Sequence, residues 1–132
     1  MHTFTPCLAT LSAGQVDLDA LSEKLARHGI VLTMHVNETL AGFAAFYCND
    51  TVTKQAFLSL LAVLPEYRQQ KIGQKLLSAA IARAQQAHMD RFVLEVQREN
   101  LPAIAFYEKN RFSFTDKETV HSRFMMLPLN KQ

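Results

Sequence analysis

Apolar and polar residues recur along this chain in two rhythms, one near the 3.6-residue period of a helix and one near the two-residue period of a strand, and their order predicts the elements. Leu18, Leu21 and Leu25 share one face over residues 17–27, and Gly29 follows where a helix would stop. Residues 30–36 and 40–48 are rich in β-branched, aromatic and small apolar side chains, and the short polar break between them predicts an antiparallel hairpin. A polar stretch over 49–55 leads to a third strand at 56–63. Ile72, Leu76, Leu77, Ala80, Ile81 and Ala84 then fall at helical spacing, so 72–84 reads as a helix laid on a sheet. Residues 91–96 return as a strand, and a strand, helix and strand in that order make a crossover whose strands are parallel neighbours. Asn100 can cap a helix over 101–109, with Pro102 tolerated in its first turn. Residues 111–116 and 122–127 can close the sheet as an antiparallel pair. The expected fold is α/β, a sandwich around one mixed sheet.

Composition narrows this picture. A chain of 132 residues without repeats or linkers reads as one domain over 1–132, and its 48% hydrophobic content is enough for a core. The longest apolar runs fall far short of the roughly 18 residues a membrane span needs, and no secretory signal opens the chain, so the expected setting is cytoplasmic. Cys7 and Cys48 form no Cys-x-x-Cys pair, which favours reduced thiols over a disulfide or metal site. His28, His35, His88 and His121 are scattered without metal-ligand spacing, so no metal is expected. A net charge of +2 is too small to argue for a nucleic-acid partner. Asn37-Glu38-Thr39 matches a glycosylation sequon but reads as a hairpin turn.

The candidate chemistry lies between residues 60 and 112. Residues 68–74, Arg68-Gln69-Gln70-Lys71-Ile72-Gly73-Gln74, stand where a strand ends and a helix begins, so unpaired N–H groups and the positive helix end converge there. An anion suits that point, and Gly73 lets a phosphate approach the backbone. Alone the signal is shared by many phosphate-binding loops. A second segment, Leu94-Glu95-Val96 followed by Asn100-x-x-Ala103 and Phe106-Tyr107-x-Lys109, makes the combination specific.

Together the two segments resemble the paired coenzyme A motifs of the GNAT superfamily of N-acetyltransferases, over about the last two thirds of the chain. The resemblance implies a single GNAT-like domain with helices on both sheet faces and a central parallel strand pair splayed at the coenzyme site. It implies acetyl-CoA as the acetyl donor. Leu61, Ala62 and Val63 would offer backbone groups to the pantetheine arm, and the loop from Arg68 through Gln69, Gln70, Lys71, Ile72 and Gly73 to Gln74 would hold the pyrophosphate. Asn100 and Ala103 would lie by the pantetheine, and Tyr107 by the coenzyme sulfur. Lys71 and Arg111 stand where the family pattern has glycine. Lys71, keeping helical dihedrals, adds a charge for the phosphates or is an exposed helix lysine; at the second position, Asn110 or Arg111 turns left-handed or the turn itself differs.

Acyl transfer to an amine needs a neutral amine, a polarised carbonyl and a proton for the leaving thiolate. Backbone N–H groups near residues 61–63 are candidates for the carbonyl. The phenol of Tyr107, with an ordinary pKa near 10, can donate to the thiolate; the alternative is a half-buried structural tyrosine. Strand 56–63 holds no carboxylate, so Glu95 is the candidate base. It precedes Tyr107 by twelve residues, a spacing similar to that of bacterial ribosomal-protein alanine acetyltransferases, yet it also suits a structural hydrogen-bonding group. His35 and His121 are reserve bases, Cys48 reads as a buried strand cysteine, and Asn49-Asp50 as a turn.

The function so read is N-acetyl transfer from acetyl-CoA to a primary amine of unknown identity in a ternary complex. The alternative is a non-catalytic acyl-CoA-binding module of the same fold. Residues 1–16 show no convincing strand, so a second subunit completing the acceptor wall, as in a homodimer, fits the same reading.

Overall fold

Six strands and two α-helices follow one another from residue 29 onward in a computed structural model that describes residues 29–129. The helix expected over 17–27, the reading of residues 1–16, Cys7 and His28 all lie outside the described residues. Strands β1 (Gly29–Val36) and β2 (Thr39–Tyr47) form the expected hairpin, joined by Asn37 and Glu38 at φ 51° and 70°. Two successive left-handed residues match the right-handed twist of the strands, so the sequon-like triplet is a tight turn.

Strand β3 (Gln55–Val63) is antiparallel to β2 and parallel to β4 (Arg91–Gln97), as the crossover requires. Between them run a 3-10 turn (Pro65–Gln70) and helix α1 (Ile72–Gln86). Helix α2 (Leu101–Lys109) follows β4, and β5 (Ser113–Glu118) and β6 (Ser122–Pro128) complete a sheet of order β1-β2-β3-β4-β6-β5. Every strand thus lies within two residues of its expected limits. The 3-10 turn stands where the sequence has a Pro turn and a polar loop, and Pro65 in its first turn suits the winding.

One continuous core joins sheet and helices. It takes Ala44 and Phe46 from β2, Phe92, Leu94 and Val96 from β4, Leu76, Leu77, Ala80 and Ala84 from α1, and Ala103 and Tyr107 from α2. The every-second-residue pattern holds in β4 but slips in β3, where Ala56 and Leu58 are followed by Leu61 and Val63. A register shift between Ala45 and Phe46 opposite β3 accounts for this: Ala45 pairs Leu60 and Phe46 pairs Leu58, so Ser59 is the extra residue of a bulge. The bulge turns Leu61 and Val63 toward the helices. Both described helices contribute to this core, and the helix expected over 17–27 belongs to the undescribed residues.

Gly42 lies beneath α1 and close against β3. A Cβ there would stand 2.7 Å from the Ala62 carbonyl oxygen and 3.3 Å from side-chain atoms of both Ile72 and Leu76. Only glycine allows the helix to seat at this depth.

Candidate active site

The sheet divides at its centre. Strands β3 and β4 are in register only from Gln55↔Arg91 to Leu58↔Leu94. Beyond that point residues 59–63 continue in β3 beside β2, and residues 95–97 continue in β4 beside β6. A wedge opens between two strands that are parallel neighbours below it. Leu61, Ala62 and Val63 stand on its β3 side, buried, with Val63 at its mouth.

The wedge leads into a groove of about 440 Å³ lined by Val63, Arg68, Lys71, Gly73, Gln74, Phe106 and Lys109. Three of these are cations and none is a carboxylate, so the groove favours an anion. Helix α1 reinforces that bias: it begins at the groove with no side-chain cap and no acid in its first turn, so its leading N–H groups remain open to a ligand. Gly73 is buried in this first turn, while Ile72, 2% exposed, sends its side chain into the core and can offer only backbone. Gln69 and Gln70 belong to the 3-10 turn that delivers Arg68.

Lys71 departs from expectation. It has φ 60° and ψ 28°, left-handed, and forms the hinge between the 3-10 turn and α1. A side chain there costs about 1–2 kcal/mol, which is why glycine suits the position. At the other position where the family pattern has glycine, Arg111 is left-handed at φ 75°, one of the two residues foreseen after α2.

Helix α2 supplies the opposite wall through Phe106 and Lys109, neither of which carried a role in the sequence reading. Their signal was present, since a helix that buries Tyr107 and Ala103 turns the residues beside them elsewhere. Asn100 caps this helix, its Oδ1 accepting from Ala103 N at 3.3 Å. Ala103 and Tyr107 are completely buried. The Tyr107 ring meets Phe106 and Phe112 edge to face, at centroid distances of 5.4 Å and 5.7 Å. Phe112 in turn lies 6.3 Å from Phe92. The phenol is therefore fully buried, where half-burial was the structural alternative.

Glu95 lies on the other side of the sheet. It is three residues from Phe92, an odd interval along β4, so its side chain leaves the face opposite the aromatic cluster. There Ser122 Oγ donates to Glu95 Oε2. Ser122, 1% exposed, has one hydroxyl proton to give, so the 2.8 Å contact between Thr119 Oγ1 and Ser122 Oγ runs from threonine to serine. Arg98 fixes this corner, donating to Glu118 Oε1 at 2.7 Å, Thr119 O at 2.8 Å and Val120 O at 3.2 Å. The Arg98 guanidinium holds the Glu118 carboxyl below the usual glutamate range. Neither Ser122 nor Thr119 was marked by the sequence; their part depends on the β4–β6 pairing.

The remaining candidates separate by position. His121 sits in the β5–β6 turn at the same end as Glu95, whereas His35 is on edge strand β1, with β2 and β3 between it and β4. Cys48 is a free thiol just past β2, half-buried, and that burial pushes its pKa up against the opposing pull of Arg83. Asp50 accepts from Thr53 Oγ1 and from the N–H groups of Val52 and Thr53, the hydrogen bonds of a turn. Among the described residues no group of three or more His, Cys, Asp or Glu is placed to hold a metal, and no helix is long and apolar enough to cross a membrane.

Known proteins share this fold. The structure resembles that of PaiA N-acetyltransferase from Thermoplasma acidophilum in complex with coenzyme A, with 26% identity over 84% of this chain and 68% of the other and a TM-score of 0.71. It also resembles the ribosomal-protein-S18-alanine N-acetyltransferase of Escherichia coli, with 24% identity over 95% and 83% of the two chains and a TM-score of 0.76. No curated protein matches the sequence. The residues present fit coenzyme A: a basic groove at an open helix start for the pyrophosphate and a strand wedge for the extended arm. Bound there, acetyl-CoA supplies the activated acetyl group. The sequence model of the acetyltransferase (GNAT) family matches residues 4–112, and this chain belongs to that family, an acyltransferase that uses acetyl-CoA.

Proposed function

We propose that the protein transfers an acetyl group from acetyl-CoA to a primary amine directly, with both substrates bound at once. The observation that carries this reading is the wedge between β3 and β4, with Tyr107 on one sheet face and Glu95 on the other. A donor entering from the groove side and an amine arriving from the far side meet at the opening. Glu95 takes a proton from the amine, whose nitrogen forms the new bond to the acetyl carbon. Backbone N–H groups of β3 past Leu58 polarise the carbonyl, and Tyr107 gives its proton to sulfur as the carbon–sulfur bond breaks.

The surroundings support both roles. Burial keeps the Tyr107 hydroxyl away from bulk water, where a donated hydrogen bond is stronger than in solvent. The Ser122–Thr119 chain fixes Glu95 while leaving its second oxygen available to the amine. Arg68, Lys71 and the leading turn of α1 hold the pyrophosphate, and Asn100 acts by setting the start of α2. The likeness to PaiA N-acetyltransferase supports an amine nitrogen as the acceptor.

Thiol release from acetyl-CoA across a panel of amines tests the reading. Once an acceptor is found, Tyr107→Phe should lower single-turnover rates by about 10²-fold while leaving coenzyme affinity almost unchanged. A wild-type rate in that variant would remove Tyr107 from the mechanism. Glu95→Gln should lower the rate comparably; a wild-type rate in that variant would assign the base elsewhere.

A further inference from the structure

The start of α1 and the end of α2 are opposite walls of the groove, and one pair of side chains ties them together. Gln74 Nε2 donates to Asn110 Oδ1 at 2.7 Å, and Asn110 Nδ2 donates back to Gln74 Oε1 at 3.1 Å. Each amide thus uses a donor and an acceptor on the other, across 36 residues of chain. Each partner is also anchored on its own side. Gln74 Nε2 reaches Ser78 Oγ at 3.1 Å, and Asn110 Nδ2 reaches the Phe106 carbonyl at 2.9 Å. Asn110 N lies 3.0 Å from the Tyr107 carbonyl. Gln74 and Phe106 line the groove, whereas Asn110 does not.

We infer that Gln74 and Asn110 form a clamp that sets the width of the coenzyme groove, and that Asn110 is a positioning residue acting through Gln74. The inference rests on reading the groove as the coenzyme site. Two helix ends meeting over an open cleft need a fixed spacing if phosphate contacts on one and Phe106 and Lys109 on the other are to engage one ligand together. The amide pair provides that spacing before the ligand arrives, reducing the ordering required on binding.

Titration calorimetry with coenzyme A on Asn110→Ala, Gln74→Ala and the double variant tests the clamp. Asn110→Ala should raise Kd about tenfold although its side chain lies outside the groove, as expected for loss of two modest hydrogen bonds. In the Gln74→Ala background the same change should have almost no further effect. Unchanged affinity in folded Asn110→Ala overturns the clamp, and so do effects that multiply in the double variant. If Asn110→Ala does not fold, Gln74→Met keeps side-chain length and helix propensity without the amide. It should show the same tenfold loss, and wild-type affinity there would overturn the proposal. Absence of coenzyme binding by the wild-type protein would instead remove the groove assignment itself, and the clamp with it.

Discussion

Lys71 holds a left-handed backbone that glycine adopts freely, and it does so at the entrance to a groove with two further cations. The two effects oppose each other in Lys71→Gly. Relief of about 1–2 kcal/mol of backbone strain is partly offset by about 0.4–1 kcal/mol of added unfolded-state entropy, so stability should rise by no more than about 1.6 kcal/mol. Loss of the ammonium should weaken coenzyme A several-fold and flatten the salt dependence of binding. Chemical denaturation and titrations at two ionic strengths would check both; unchanged affinity would make the charge irrelevant to the ligand. The sequence showed that a lysine replaces the family glycine but not its dihedrals, because a left-handed residue is imposed by the two helical segments it joins. Cys48 carries a different kind of prediction. Its raised pKa keeps the thiol protonated at neutral pH, so in a Cys7→Ser background alkylation should be slower than for a free cysteine and accelerate only above the usual thiol range. Rapid labelling at pH 7 would contradict this.

At the scale of elements, periodicity was a sound guide wherever packing follows local pattern. All six strands, both described helices and the parallel β3–β4 pair were legible, because alternation and helical spacing report directly on which face meets the core. The bulge at Ser59 and the 3-10 turn were not, since each adjusts one element to its neighbours. Gly42 belongs to that second group: in the sequence it is an unremarked glycine before an apolar run, and its purpose appears only when α1 is laid across it. Gly42→Ala should destabilise by about 1–3 kcal/mol, because the new methyl meets the Ala62 carbonyl and two α1 side chains. It should also weaken coenzyme A, since Ala62 and Ile72 adjoin the groove-lining Val63 and Gly73 along the chain. Denaturant midpoints and coenzyme titration would decide; an alanine variant as stable as wild type would mean the helix can rise without loss. The site was legible to the extent that its residues follow one another along the chain. The cations of the first wall and the Glu95–Tyr107 spacing could be read, whereas Ser122 and the Gln74–Asn110 pair require contacts made across the sheet or between helices.

For the whole molecule, ligand and fold are linked. Coenzyme A that binds only the folded chain adds about 2.7 kcal/mol of stability at a hundredfold excess over Kd. Thermal shift should therefore rise with the logarithm of coenzyme concentration, and a flat titration into the millimolar range would contradict the site. Adenosine without the pyrophosphate should give far less, because the groove's charge would have no partner. The short β3–β4 register gives this linkage a further meaning. A sheet joined at its middle over four residue pairs is mechanically two ribbons on a brief hinge, and whatever fills the wedge acts as a bolt. Where coenzyme is scarce the bolt is withdrawn, and opening at the hinge should become more frequent. Survival against protease should then track the supply of coenzyme A, so that the protein lasts longest where its cosubstrate is at hand.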